Sequence, residues 1–371
     1  MKMMWMFLFW VLPLLAMAYI GWHIWCLLPL HWLWKTLAIA LMVVSFLLLF
    51  AGVLRSTDHM PMPLAVCVYE VGTSSIFILL YLFLLFLLLD LGRLIHLVPR
   101  TLLYNNWWTV GGISVFMFGL FLYGHLNYKN KVRQELTITT DKVTKPVQIV
   151  LISDLHLGYH NRRNELHRWV DIINEEKPDI TLIAGDIIDG SLRPLKEQRM
   201  FEEFQRLHAP VYACLGNHEY YSGEPGALQF YEQAGIHLLR DSMVVVNDIC
   251  IIGRDDATNF RRKPLDQFSI LNSPRNATLS KREFSILLDH QPHHLEKAEK
   301  AGIDFQFSGH THRGQVWPIS WITDRIYECS WGSFQRGDTR YYVSSGMGIW
   351  GGMFRIGTRS EYVVLEIKGK K

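Results

Sequence analysis

The sequence predicts an α/β protein in two parts, an N-terminal four-helix transmembrane region followed by a C-terminal α/β sandwich. Four long runs without Lys, Arg, Asp or Glu lie within the first 126 of its 371 residues. Beyond residue 146, short apolar runs alternate with amphipathic ones, the pattern of strands covered by helices. We therefore expect a transmembrane region over residues 1–128, a polar linker over residues 129–146 and an α/β domain over residues 147–371.

The four uncharged runs reach or approach the ~20 apolar residues that a helix needs to cross a hydrocarbon core. The predicted spans are about 3–30, 36–54, 71–89 and 107–126. Tryptophans stand near the ends of these runs, as expected at the level of lipid headgroups: Trp32, Trp34, Trp107 and Trp108. Buried helices of a large soluble domain are the alternative, but these runs leave almost no polar face to meet water.

The basic residues that flank the spans predict the orientation. Five of them lie on one side (Lys2, Arg55, Lys129, Lys131, Arg133) and three on the other (Lys35, Arg93, Arg100). This majority places both termini, and with them the α/β domain, in the cytoplasm. The segment ending Ala16-Met17-Ala18 also resembles the cleavage site of a secretory signal. Because the apolar run continues to Leu30, we expect an uncleaved span.

Charge and cysteine content narrow the classes of function. The formal net charge is +3, and residues 1–128 hold five basic and three acidic side chains, which leaves about +1 for the remainder. No strong positive field is present to bind nucleic acid. The five cysteines form no close pair, so neither a disulfide framework nor a thiolate metal site is indicated.

The second part of the chain contains five apolar, strand-like runs. They are "VQIVLIS", "DITLIAGD", "PVYACLGNHE", "FSILLDHQP" and "DFQFSGHTH". Helical patterns lie between them in "NELHRWVDIINEEK", "EQRMFEEFQRLH" and "GALQFYEQAG", with a short helix near Leu295, and "SMVVVNDICIIGRDD" is typical of a hairpin. Residues 261–277 predict a solvated loop that could cover a site.

Polar groups follow every one of these five strands. In chain order they are Asp154 and His156, Asp186, Asn217 and His218, His290, and finally His310 and His312. A single "DxH" or "GHTH" is typical of a turn. The carboxyl ends of strands in an open α/β sheet, however, meet at one crevice. The complete series therefore predicts a site built from five loops.

Seven of these side chains could ligate a metal through oxygen or nitrogen: Asp154, His156, Asp186, Asn217, His290, His310 and His312. A donor set without thiolate suits Mn, Fe or Zn. The set is larger than one ion needs, so two divalent ions with one bridging carboxylate are expected, and His218 remains free. In extended chain, residues i and i+2 point to the same side, which brings both "DxH" and "HxH" pairs to a common centre.

The blocks "SDLHLG", "AGDIID", "GNHE", "LDHQP" and "GHTHRGQ" resemble those of the calcineurin-like metallophosphoesterase superfamily over about residues 147–370. The tail "YYVSSGMGIWGGMFRIGTRSEYVVLEI" is similar to that of a membrane-associated bacterial branch, some of whose relatives hydrolyse UDP-2,3-diacylglucosamine. The resemblance implies Asp154, His156, Asp186 and His312 at one metal, and Asp186, Asn217, His290 and His310 at the other. It also implies that His218 is a catalytic acid.

The sequence departs from that branch at two positions, with Arg313 in place of a glycine and Glu219 where aspartate is frequent. The resemblance implies a metallophosphoesterase fold and a membrane-anchored hydrolase of a phosphate ester, with lipid-linked and nucleotide-sugar-lipid esters as candidate substrates. The nearby His160, Arg162, Arg163 and Arg313 could bind a second phosphate or a headgroup, or serve as surface charges. The alternative is a membrane sensor or transporter in which the phosphoesterase domain is regulatory.

Overall fold

A computed structural model describes residues 2–259 and 283–370, with side chains described from residue 11 onward. The expected loop at residues 261–277 lies outside the described residues. The chain divides into two compact units, Met1–His125 and Leu126–Lys371. We call them the helical unit and the α/β unit.

The helical unit is built from four long helices. They are α1 (Lys2–Leu27), α2 (Trp32–Val53), α3 (Met62–Leu94) and α4 (Trp107–Lys129), whose last turn belongs to the α/β unit. Three of them, α2, α3 and α4, are long and apolar enough to cross a membrane, and α1 contains a shorter apolar stretch, Val11–Leu27. The four expected spans thus fall on four helices, although α3 extends beyond the predicted 71–89 at both ends.

Polar groups inside the helical unit contact one another. The Asp90 carboxylate of α3 accepts a hydrogen bond from the Tyr19 hydroxyl at 2.7 Å and lies 3.0 Å from His23 Nε2. His23 is buried and its ring stacks on Phe86. Elsewhere, Gly72 allows close approach of α2 and α3, because a Cβ there would lie 2.5 Å from the Leu49 nitrogen.

The α/β unit contains twelve strands in two six-stranded sheets. In chain order the strands are β1 (Lys131–Thr140), β2 (Val147–Ile152), β3 (Ile180–Ala184), β4 (Val211–Cys214), β5 (His237–Leu238), β6 (Ser242–Val246), β7 (Ile249–Gly253), β8 (Phe284–Leu288), β9 (Phe305–Ser308), β10 (Gly332–Arg336), β11 (Thr339–Val343) and β12 (Ser360–Gly369). One sheet has the order β1-β12-β2-β3-β4-β5 and the other β10-β11-β9-β8-β7-β6. The site strands run parallel within each sheet, β2 to β4 in the first and β8 with β9 in the second.

Apolar side chains of both sheets form a shared core, with members such as Leu151, Leu182, Ile251, Ile286 and Phe307. Helices cover the outer faces: α5 (Arg163–Glu175), α6 (Arg193–Glu197), α7 (Phe201–Phe204), α8 (Asn217–Ser222), α9 (Glu224–Ala234) and α10 (Glu296–Lys300). A further helix, α11 (Ile319–Ile326), follows the loop after β9 and contributes no side chain to these core clusters. The predicted α/β sandwich is confirmed. The predicted hairpin is the antiparallel β6–β7 pair, turned through Asn247 and Asp248 at positive φ.

Two sequence predictions about elements were wrong. The expected linker contains β1, which pairs in parallel with β12 over ten residues from Lys131 to Thr140. Its alternate residues are exposed at the sheet edge, which gives the segment its polar composition. The single helix expected over residues 197–208 is interrupted between α6 and α7, where Arg199 adopts φ 49° and ends the helical path.

Candidate metal centre

The eight side chains predicted for the site lie together at one edge of the sandwich. Each follows a strand: β2 precedes Asp154 and His156, β3 precedes Asp186, β4 precedes Asn217 and His218, β8 precedes His290, and β9 precedes His310 and His312. Parallel neighbours deliver their carboxyl ends to the same edge. The strand topology therefore brings together groups that are more than 150 residues apart in sequence.

Asp154, His156 and His312 form one group. His156 Nε2 lies 3.0 Å from His312 Nε2, and Asp154 Oδ1 lies 3.5 Å from the latter and 3.9 Å from the former. One ligand atom from each residue falls within 4.8 Å of the others. This spacing allows the three side chains to ligate a single cation.

A second group consists of Asp186, Asn217, His290 and His310. The Asn217 amide oxygen lies 3.1 Å from His290 Nε2 and 2.8 Å from His310 Nδ1. Asp186 Oδ2 lies 3.1 Å from His290 Nε2. One ligand atom from each of Asp186, His290 and His310 lies within 4.8 Å of the others, close enough to share a cation. The second group thus adds an amide oxygen to one carboxylate and two imidazoles.

The Asp186 carboxylate faces both groups. Its Oδ2 atom lies 3.6 Å from His156 Nε2 of the first group and 3.1 Å from His290 Nε2 of the second. The other oxygen, Oδ1, accepts a hydrogen bond of 2.9 Å from the His218 backbone N–H. One oxygen is fixed by the backbone, so the other is available between the two groups.

The loop backbone, and not an extended chain, aims these side chains. Asp154, His156, His310 and His312 have φ angles of 54°, 45°, 71° and 48°, and Asp186 has φ 52°. These values lie in the left-handed region, which is costly for residues other than glycine. The extended-chain reason for the "DxH" and "HxH" spacing was therefore wrong, although the paired residues do reach common groups.

Glycines make room for the carboxylates. A Cβ on Gly216 would lie 2.2 Å from Asp186 Oδ1, and one on Gly309 would lie 2.2 Å from Asp154 Oδ2. Even alanine would collide with a candidate ligand at either position. The glycines that precede "NHE" and "HTH" in the sequence are thus explained by close packing against the site.

The electrostatics of the site suit a cation. Asp154 and Asp186 are buried, and burial raises the pKa of the Asp154 carboxyl. Burial, reinforced by the charge of His290, lowers the pKa of His310 to about 3, and burial beside His156 holds the pKa of His312 well below its usual range. Burial alone would lower the pKa of His156 and His290, but the hydrogen bond to Asp189 raises the first and the charge of Asp186 holds the second well above its ordinary value. Neutral imidazoles and ionised carboxylates are the forms that bind metal, so a cation would displace the protons of His156, His290 and Asp154. His312 Nδ1 is buried without a hydrogen-bond partner. The donor set therefore fits divalent ions.

Asp189 links His156 to His218. Its carboxylate lies 3.1 Å from His156 Nδ1, which leaves Nε2 of that ring facing the first group. Its backbone carbonyl accepts a hydrogen bond from His218 Nδ1, and the two imidazole rings meet edge to face at 4.5 Å. Burial alone would raise the pKa of the Asp189 carboxyl, but the hydrogen bond from His156 and the neighbouring imidazoles lower it to about 2. Asp189 thus orients both rings.

Glu219 has a structural role that the sequence noted only as a departure. Its carboxylate accepts hydrogen bonds from the backbone N–H groups of Gly216 at 2.7 Å and of Asp186 and Ile188 at 3.0 Å. Burial, together with the charge of Asp186, raises the pKa of Glu219 to about 7. The side chain ties the loop after β4 to the loop after β3.

Two buried residues that sequence reasoning missed hold the site loops. The Arg355 guanidinium donates to the carbonyls of His312 at 2.6 Å and of Ser345, and burial lowers the pKa of this group to about 10. Asn161 donates to the carbonyls of Leu155 at 3.0 Å and His156 at 3.1 Å. No sequence pattern marks either residue, because each acts on backbone carbonyls of the site loops and not on the site itself.

The four side chains suggested for a second phosphate occupy different environments. His160 is buried and contacts the Ile349 carbonyl, while Arg163 is paired with Glu203 and Glu202. Arg162 is exposed. Arg313 directly follows His312, and its guanidinium carbon stands 4.2 Å above the Trp331 ring. Arg313 is the one of the four that adjoins a candidate ligand in sequence and is held by an aromatic ring.

Comparisons with known proteins identify relatives of this architecture. A family model described as calcineurin-like phosphoesterase matches residues 147–314. A metallophosphoesterase of Campylobacter jejuni is 31% identical over 269 residues, which cover 70% of this chain and 70% of that protein. One of Aquifex aeolicus is 32% identical over 258 residues, 67% of this chain and 96% of that protein. A transmembrane protein with metallophosphoesterase domain of Danio rerio is 30% identical over 234 residues, 60% of this chain and 53% of that protein.

Proposed function

The chain belongs to the calcineurin-like phosphoesterase family and is a metal-dependent phosphoester hydrolase. From this premise we propose that it is a membrane-anchored enzyme that uses two divalent ions to hydrolyse a phosphate ester close to the bilayer. The observation that carries the proposal is the pair of buried donor groups, with Asp186 Oδ2 between them. Seven oxygen and nitrogen donors at the ends of five strands exceed what a single ion requires.

In this proposal Asp154, His156 and His312 would hold one ion and Asn217, His290 and His310 the other, with Asp186 available to both because its Oδ2 atom faces both groups. Mn, Fe or Zn would suit the donors. Two such ions, when bound, activate a shared water and neutralise the charge that develops on the phosphate oxygens. The chain orients the ligands: Asp189 occupies His156 Nδ1, and the Ala184 carbonyl lies 2.7 Å from His290 Nδ1, so that Nε2 of each ring faces the site.

His218 is proposed as the general acid. Its Nδ1–H donates to the Asp189 carbonyl, which leaves Nε2 free to face the leaving oxygen, and the ring must be in its imidazolium form, with a proton on each nitrogen, to pass the Nε2 proton to that oxygen. An imidazole suits this role because its ordinary pKa lies near neutrality. The His218 side chain is 17% exposed, in contrast to the fully buried His156, which supports access by a substrate.

Three apolar helices and a relative named as a transmembrane protein indicate a membrane protein. The excess of basic residues at one set of span ends supports a cytoplasmic α/β unit. Attachment to the bilayer raises the local concentration of esters that are themselves in or on the membrane, and lipid-linked phosphate esters are therefore the proposed substrate class.

Replacing Asp186 tests this function directly. We expect Asp186→Asn in the full-length protein to abolish hydrolysis of soluble aryl phosphomonoesters and phosphodiesters supplied with Mn²⁺. We also expect bound metal, measured by mass spectrometry of the purified protein, to fall at both positions, because the variant loses the one carboxylate that faces both groups. Incubation of lipid and nucleotide extracts with wild type and variant then identifies the physiological ester by its disappearance.

Asp171→Asn provides the matched control, because Asp171 is a half-exposed carboxylate on α5 of the same unit. This variant should keep wild-type metal content and activity. Undiminished hydrolysis by Asp186→Asn, or no phosphate ester altered by the wild type in any extract, would reject the proposed function and favour a sensor role.

A further inference from the structure

Helix α11, the segment that follows the His310–His312 loop, turns its apolar side chains outward. Trp321, Ile322 and Ile326 are 65%, 57% and 64% exposed, and the preceding Trp317 is 41% exposed. The buried residue of this helix is polar, Ser320. We call Trp317, Trp321, Ile322 and Ile326 the apolar face of α11.

This arrangement is the reverse of that in a surface helix of a soluble domain, where the apolar stripe packs inward. A cluster of exposed tryptophan and isoleucine marks a surface that is covered by another apolar phase or partner. Tryptophan in particular is enriched at the membrane interface, where one edge of the indole is wet and the rest lies among lipid chains.

Contacts within the α/β unit connect the apolar face to the end of a membrane helix. Asn127, in the last turn of α4, donates hydrogen bonds of 2.8 Å to the carbonyls of Arg355 and Thr358. Between these two residues, the Ile356 carbonyl accepts a hydrogen bond of 2.7 Å from the Trp317 N–H. The α/β unit continues directly from α4, one of the three helices suited to span the bilayer, so lipid is an apolar phase to which the chain itself attaches this unit.

The same helix is fixed to the metal centre. A Cβ on Gly314, two residues after His312, would lie 2.6 Å from the backbone of Ile319 and Ser320, so the turn after the ligand packs directly on the start of α11. At the far end, Tyr327 stacks on His293 and meets the ring of His310 edge-on. A surface that holds α11 thereby holds the site loop.

Charged side chains stand beside the apolar face. Arg325 is exposed and lies four residues after Trp321, so the two share one side of the helix. Asp324 is also exposed, and its carboxylate accepts a hydrogen bond from the Ser330 hydroxyl, which leaves its negative charge in place. The two charges balance, so the tryptophan and isoleucine side chains decide which surface this helix binds.

We propose that α11, with Trp317, lies in the interface of the bilayer and presents the metal centre to phosphate esters at headgroup level. This inference rests on the proposed function and narrows its substrate class to esters carried by bilayer lipids. A protein partner covering the same face is the competing occupant, and the experiment below excludes it if the proposal is right.

The test uses full-length protein in which Cys26 and Cys67 are replaced by serine and an environment-sensitive fluorophore is attached to Ile322→Cys. The labelled protein is reconstituted in nanodiscs of phosphatidylcholine and phosphatidylglycerol. We expect a blue-shifted emission that spin-labelled lipids quench. The matched control is Val245→Cys, an exposed apolar position on β6, the edge strand opposite β10. Quenching no stronger at position 322 than at position 245 would overturn the proposal and leave a protein partner as the occupant.

The second measurement is an activity ratio. We expect the double variant Trp321→Ser, Ile326→Ser to lose about tenfold or more in hydrolysis of a phospholipid ester within the nanodisc, with unchanged hydrolysis of a soluble aryl phosphodiester. Equal loss on both substrates would mean that α11 supports the fold only, and equal retention would mean that it does not dock; either result overturns the inference. If the wild type hydrolyses neither ester while the label on Ile322→Cys is quenched by lipid, the proposed function is rejected and the docking of α11 on the bilayer is supported.

Discussion

At the residue scale, His156 and His218 differ in what their second ring nitrogen contacts. His156 Nδ1 faces the Asp189 carboxylate, whereas His218 Nδ1 donates to the Asp189 backbone carbonyl. The Asp189 carboxylate hydrogen-bonds to His156 and strengthens this ring as a metal ligand, whereas it lies 3.7 Å from His218 Nδ1, beyond hydrogen-bond distance, and the carbonyl fixes the tautomer of that ring. Asp189 thus orients His156 as a candidate metal ligand and His218 as the proposed general acid.

We predict that His218→Asn lowers kcat by about 10²- to 10⁴-fold, the usual contribution of a positioned general acid, without changing metal content. Steady-state kinetics on an aryl ester and metal analysis of the same preparation check this. His208→Asn, at an exposed histidine of the same unit, should behave as wild type. Loss of metal from the His218 variant would show that this ring is a ligand and that its role is misassigned.

The sequence predicted the members of the site better than the reasons for their geometry. Apolar strands ending in Asp, Asn and His were sufficient to indicate that eight side chains converge. The left-handed backbone at Asp154 and His312, and the support from Arg355 and Asn161, could not be predicted. They depend on where distant loops meet, and no local pattern records that.

At the element scale, α5 and α7 are joined by a buried carboxylate. Glu203 is 3% exposed and accepts hydrogen bonds from Arg163 at 2.8 Å and Arg206 at 2.7 Å, with His167 Nδ1 at 2.9 Å. Burial alone would raise its pKa, but these donors lower the pKa of Glu203 to about 2. A carboxyl whose folded-state pKa is depressed stabilises the fold above its unfolded-state pKa of 4.5 and loses that contribution as pH falls toward 2.

We therefore predict that Glu203→Gln lowers the free energy of unfolding by about 2 kcal/mol at pH 7, since charged hydrogen bonds contribute about 1.5–3 kcal/mol. The apparent Tm of wild type and variant, compared from pH 7 to pH 3, should converge as the pH falls below about 4.5. Glu202→Gln, on the same helix but more exposed, should lower Tm much less. A difference between wild type and Glu203→Gln that persists undiminished at pH 3 would contradict the account.

The elements themselves were predicted unevenly. Strands β2, β3, β4, β8 and β9 are short, predominantly apolar and followed by glycine or polar residues, so composition was sufficient to identify them. Strand β1 was taken for a linker because an edge strand needs only one apolar face. Helix α11 was not predicted, because its apolar residues point away from the core and give no sign of how the chain folds.

At the scale of the whole molecule, the chain consists of an apolar helical unit followed by an α/β unit with a buried donor set. Separate parts of the sequence determine membrane attachment and metal binding: the uncharged runs lie before residue 127, and the Asp, Asn and His residues at strand ends lie after residue 146. Composition alone could therefore distinguish the membrane helices from the α/β domain. The position at which one gives way to the other could not be predicted correctly, because α4 ends at Lys129 and β1 begins at Lys131 within a short polar stretch.

Two buried carboxylates facing imidazoles are costly without a cation, so metal should stabilise the α/β unit. We predict that chelation lowers the apparent Tm of the full-length wild-type protein and that Mn²⁺ restores it. Asp186→Asn should show little further change on chelation. An identical Tm with and without chelator in the wild type would indicate that the donor groups do not bind metal in the folded protein.

The most direct test of the central claim is the number of divalent ions per chain in the purified, full-length wild-type protein, measured by mass spectrometry alongside hydrolytic activity. The account predicts two ions per chain at full activity, and loss of both ions and activity together in Asp186→Asn. A fully active preparation that contains fewer than one ion per chain would contradict it.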